Sequence, residues 1–100
     1  MSKSKEMIIN DIDDHLTKSG RRFYSEFYIG ITNDVERRMF IEHNVAKDKM
    51  WWIYRTADSV QTAREVEAYY LKKGMRGGKG GGIEDSLIVY CYAISPTTVE

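Results

Sequence analysis

The chain has 100 residues, 42% of them hydrophobic and 12% aromatic, which suits one globular domain around one core and is too little for two. Fifteen Lys and Arg balance fifteen Asp and Glu, so bulk electrostatics is excluded as the main force for holding a polyanion, and any phosphate contact must come from a local patch. A lone cysteine excludes an internal disulfide, and no apolar run approaches the ~20 residues of a membrane span.

The opening stretch MSKSKEMIINDIDD lacks the apolar segment of a secretory signal. With a single thiol, this sets a reducing, cytoplasmic location as the expectation. Ile8, Ile9, Ile12 and Leu16 follow helical spacing, and Gly20 is a stop signal. RRFYSEFYIGIT then predicts an extended strand reaching back to Phe23. Phe23, Phe27, Ile29 and Ile31 fall on its core face, and Tyr24, Glu26, Tyr28, Gly30 and Thr32 on the other. Gly30 leaves a space beside Tyr28 into which a ligand could come close.

TNDVERR predicts a helix to about Asn44, with Asn33 as N-cap and Glu36 at capping-box spacing. Val35, Arg38, Met39 and Glu42 share one face of it. Arg38 is either half of an i,i+4 pair with Glu42, worth about 0.3–0.5 kcal/mol at a surface, or a planar fork for a phosphate. His43 is either a proton shuttle or a histidine favoured by the helix dipole. WWIYRTA predicts a second strand, 51 to 57. Trp51 and Trp52 cannot both be buried on one face, which leaves one for stacking on a base or a partner. If that strand lies at an edge, a homodimer could form through it.

Asp58 or Ser59 caps the next helix, which ends at Gly74. Its apolar stripe is Val60, Ala63, Val66, Tyr70 and Leu71, and Glu67 falls within it. A carboxylate on a buried face needs a metal, an arginine or backbone N–H groups. The structural alternative is an ion pair, or a stripe edge that opens to water. GMRGGKGGG follows, with six of the eight glycines. Lys72, Lys73, Arg76 and Lys79 make it the only strongly basic stretch, either a cradle for a polyanion or a solvated connection. The apolar SLIVYCYAIS predicts a central strand covered on both faces, with Cys91 as a small buried hydrophobe.

The expected architecture is one α+β domain over 1–100. A small three-stranded sheet is flanked by helices, the core spans 23–94, and residues 1–20 add an N-terminal helix.

Taken in order, YIG at Tyr28-Ile29-Gly30, the following TNDVERR, Arg38 ten residues after Tyr28, His43, and Glu67 on the next helix resemble the GIY-YIG nuclease family. The resemblance covers roughly residues 23 to 94. It implies metal-dependent hydrolysis of DNA phosphodiester bonds with one Mg²⁺ or Mn²⁺ on Glu67. Arg38 would stabilise the transition state, and Tyr28, with His43 or a second tyrosine, would handle the attacking water. Family members reach YIG through a hairpin from a preceding GIY strand, and that motif is absent here. Tyr24, Tyr54, Tyr90 and Tyr92 are the candidates for its tyrosine. DNA would be gripped by Lys72, Lys73, Arg76 and Lys79, with Gly30 allowing close approach. The alternative is a catalytically inactive, nuclease-like binding module that docks on a protein or a nucleic acid.

Overall fold

A computed structural model describes residues 2–20, 23–48, 50–77 and 86–99. Helix α1 spans Lys5–Lys18, opened by Ser4, whose Oγ accepts from the Met7 N–H. Strand β1 is Phe27–Thr32, followed by a π-helix at Glu36–Glu42. Strand β2 is Trp52–Thr56, helix α2 is Val60–Lys73, and strand β3 is Ile88–Ala93. The fold is α+β around a three-stranded antiparallel sheet in the order β1-β3-β2. The last strand is therefore central, as its near-continuous apolarity predicts, and β2 lies at an edge.

The period-two alternation of the strands separates two clusters of side chains. Phe27, Ile29, Ile31, Ile53, Val89 and Cys91 face α1 and α2, where Ile8, Ile12, Ala63, Val66 and Tyr70 complete the larger core. Tyr28, Tyr90 and Tyr92 face the other way, against Val35, Met39 and Val45. The sheet is thus covered on both sides. The Tyr70 hydroxyl ties α2 to α1, lying 2.7 Å from Asp13 Oδ1 and 3.1 Å from the Ile9 carbonyl.

Helix α2 begins and ends as its sequence demands. Ser59 Oγ accepts from the Thr62 N–H, and Gly74 takes the left-handed φ of +116° that closes the last turn. One other end differs from expectation. The extended segment starts at Phe27 rather than Phe23. The Glu26 carboxylate accepts from the Phe23 N–H and folds Tyr24–Glu26 into a 3₁₀ turn, leaving Phe23 exposed. The first turn of the π-helix also has a cap at Asp34, whose Oδ1 accepts from the Arg37 N–H.

Beyond β1, residues 75–77 add a short parallel contact. The Ile29 N–H donates to the Arg76 carbonyl, and the Arg76 N–H to the Phe27 carbonyl, both at 2.9 Å. Among the described residues no helix is long and apolar enough to cross a membrane.

Candidate active site

The aromatic face of the sheet is built by register. Tyr28 pairs with Tyr92, and Gly30 with Tyr90, so both tyrosines of β3 project beside the YIG segment of β1. The rings of Tyr28 and Tyr92 stack at 5.2 Å and 17°. Gly30 does not leave an open space. The Tyr90 ring lies over it so closely that a Cβ on residue 30 would sit 2.5 Å from the phenol carbon and oxygen. Glycine is required there to admit Tyr90, not a ligand.

The π-helix delivers the next two groups. Its i→i+5 hydrogen bond from the His43 N–H to the Arg38 carbonyl, 3.0 Å, brings residue 43 over residue 38. In an α-helix a spacing of five would have turned them apart. Asn44, at φ +58°, ends the turn. Both side chains converge on one atom. The Tyr90 hydroxyl accepts from Arg38 Nε at 3.3 Å and lies 2.8 Å from His43 Nε2.

The tautomer of His43 follows from its other nitrogen. Nδ1 is 2.6 Å from the Val99 carbonyl, which can only accept, so Nδ1 carries the proton. Nε2 then accepts from the Tyr90 O–H. The Tyr92 hydroxyl lies 3.1 Å from the same Nδ1, and the Val99 N–H donates back to the His43 carbonyl at 2.8 Å. His43 itself is buried. Burial pushes the Tyr90 phenol up, opposed in part by the Arg38 guanidinium and reinforced by Tyr28 and the Glu67 charge. At neutral pH Tyr90 is a protonated phenol in hydrogen-bond contact with His43 Nε2.

Arg38 is only partly committed. Its NH1 donates to Glu42 Oε1 at 2.9 Å, so the i,i+4 pair read from the sequence exists alongside the Tyr90 contact. Glu42 also reaches Arg37 Nε at 3.3 Å. One carboxylate thus bridges two arginines and leaves a net positive charge beside the aromatic cluster. The bond to Tyr90, above all, holds the Arg38 guanidinium further up its already high range.

Glu67 stands on α2, which packs against β1 and β3. Its Oε2 is buried and, among the described residues, has no hydrogen-bond partner. Burial raises its pKa from 4.5 to about 7, with Arg64 a smaller opposing influence. The buried side of α2 packs on the sheet face opposite the tyrosine cluster, and the Glu67 charge is a minor influence on the Tyr90 phenol.

No family model, curated protein or solved structure matches the chain.

Tyr28, Arg38 and His43 therefore meet as the sequence suggests, whereas Glu67 stands on α2, whose buried residues pack on the opposite face of the sheet. Tyr24 does not join them. It sits in the 3₁₀ turn, with its ring 6.5 Å from Tyr70 on the α2 side. Tyr90 takes the place beside Arg38, and the alternation VYCYA, with Tyr90 and Tyr92 opposite Val89 and Cys91, was the signal for it.

Lys72 and Lys73 are exposed in the last turn of α2, with Lys73 Nζ 5.3 Å from the Tyr69 ring centre. Arg76 pairs with Tyr28 across the edge of β1, which brings one cation of the basic stretch alongside the cluster. Lys79 lies outside the described residues. Cys91 is buried and its thiol is pushed up by burial, in keeping with a packing role.

Among the described residues, no group of three or more His, Cys, Asp or Glu forms a ready-made metal cage. An orphaned carboxylate oxygen in a half-buried setting still fits a hard divalent cation that takes one protein ligand and fills its shell with water and phosphate oxygens.

Proposed function

We propose that the chain is a metal-dependent nuclease that hydrolyses DNA phosphodiester bonds at the Tyr28–Arg38–His43–Tyr90 cluster, with Glu67 as the metal ligand. The observation that carries the proposal is the Tyr90 hydroxyl held between Arg38 Nε and His43 Nε2. A phenol with a base on one side and a fixed cation on the other can pass a proton without becoming a free phenolate.

The steps for this chain's residues are these. A phosphate oxygen takes the outer edge of the Arg38 guanidinium, displacing Glu42 from NH1. Tyr90 gives its proton to His43 Nε2, and its oxygen receives one from the attacking water. The Val99 carbonyl holds Nδ1–H throughout, so the ring stays correctly oriented. Arg38 stays charged and offsets the negative charge that builds on the phosphate. Tyr28 fixes the ring stack behind this atom. Glu67 would hold Mg²⁺ or Mn²⁺, which supplies Lewis-acid charge on the leaving-group side.

The strand arrangement supports the resemblance in a rewired order. β3 runs antiparallel beside β1, with Ala93 opposite Phe27, where a GIY strand leading by hairpin into YIG would lie. Its tyrosine arrives from the last strand instead of the first.

The test is supercoiled plasmid with Mg²⁺ or Mn²⁺. Wild type should nick it, and Arg38→Ala and Glu67→Gln should lose cleavage by at least about a hundredfold. The paired state of Arg38 favours one second reading, a nuclease-like module that binds without cutting. A wild type that retains DNA without cleaving it under either metal would establish that module in place of the nuclease.

A further inference from the structure

Building on the phosphodiester reading, we propose that Tyr54, backed by Trp52, is a stacking platform for an unpaired nucleobase next to the phosphate held by Arg38. The site would then take a single strand, or a strand with an extruded base, in preference to a closed duplex.

Three observations place the platform. Tyr54 is paired in register with Tyr90, on the same face of the sheet and one strand further from Gly30. Adjacent strands are about 4.8 Å apart, so the ring lies within a nucleotide's length of the Tyr90 row. The Trp52 and Tyr54 rings are parallel, 6.0 Å apart and inclined by 11°. Trp52 is fixed from below, edge-on to Phe40 at 5.0 Å, with its indole N–H donated to the Lys47 carbonyl. Tyr54 ends this ladder and is 40% exposed, a large aromatic left open to solvent. A ring already held in place loses little freedom when a base covers it.

Charge says what the occupant is. Arg38 reaches the tyrosine cluster, Arg37 shares Glu42 with it, and Arg76 lies along β1. The outward residues of β2, Trp52, Tyr54 and Thr56, carry no charge. A few cations on a chain of zero net charge release few counterions and give weak phosphate binding alone. An aromatic face next to such a patch adds an attraction that any base can use, because every base has a π face.

The experiment is fluorescence anisotropy on the full chain, in Ca²⁺ so that no cleavage intervenes. The probes are a thymidine octamer, an abasic strand of equal length and charge, and an eight-base-pair duplex. Wild type should bind the octamer about tenfold more tightly than the abasic strand or the duplex. Tyr54→Ala should erase that difference, and Tyr54→Phe should keep it. Arg38→Ala should weaken the octamer and the abasic strand equally, which reads the phosphate site separately. Equal affinity for octamer and abasic strand, or an unchanged preference in Tyr54→Ala, overturns the platform and leaves the nuclease reading standing. A chain that binds no probe overturns both. Dimerisation of wild type that Tyr54→Ala abolishes also overturns it, because the ring would then be covered by a second copy.

Discussion

Glu67→Gln should make the protein more stable at alkaline pH and no more stable in acid. The Glu67 carboxyl has its pKa raised from 4.5 to about 7 by burial. A carboxyl raised on folding favours the native state below the unfolded value and loses that advantage as pH climbs through the folded value. The cost therefore develops between about pH 4.5 and 7 and is complete by pH 8. Full conversion of the rise would give about 3.4 kcal/mol. The side chain is half-buried, so water screens roughly half of it, and about 1.5–2 kcal/mol remains.

A glutamine has nearly the same shape and no charge to desolvate. In thermal melts at pH 8 the variant should gain about 10 °C, and at pH 4.5 the two proteins should melt together. A divalent cation should reverse the order. Mg²⁺ or Mn²⁺ at ten times its Kd would stabilise wild type by about 1.4 kcal/mol and leave Glu67→Gln unmoved. If the glutamine variant is less stable at both pH values, Glu67 is held by a partner in an ordinary ion pair, and its role as a strained metal ligand is wrong.

Tyr90→Phe should reduce cleavage by about 10²–10⁴-fold while the plasmid still binds, as read by cleavage and gel shift in parallel. Gly30→Ala forces a methyl into the Tyr90 ring, and urea titration should show a loss of about 1–3 kcal/mol. Glu42→Gln removes the carboxylate that competes with phosphate for Arg37 and Arg38, so anisotropy should report a few-fold tighter DNA binding, with a steeper salt dependence.

Much of this was legible because it is local. Ser59 and Gly74 bracket α2 by their own chemistry, and the helical wheel puts Glu67 among apolar neighbours without any knowledge of the sheet. The central place of β3 follows from its unbroken apolarity. What the sequence hid is set by tertiary contacts. Nothing near Gly30 says that Tyr90, sixty residues later, fills its space, because register across two strands decides that. Tyr24 looked in line with Tyr28 only while Phe23 to Thr32 was one strand, and the Glu26 side-chain bond breaks that line. The five-residue interval from Arg38 to His43 reads as a mismatch on an α-helix and becomes a match once the turn widens.

The order β1-β3-β2 has a consequence for synthesis on the ribosome. Neither of the first two strands pairs with the other, so the three-stranded antiparallel ladder cannot form until β3 emerges. Until then the two strands have no shared central neighbour to bring Phe27, Ile29, Ile31 and Ile53 into a common core, and the nascent polypeptide exposes sticky segments that chaperones recognise. Completion of the last strand would then trigger sheet, core and tyrosine cluster together, and a stalled product should be degraded rather than accumulate half-built.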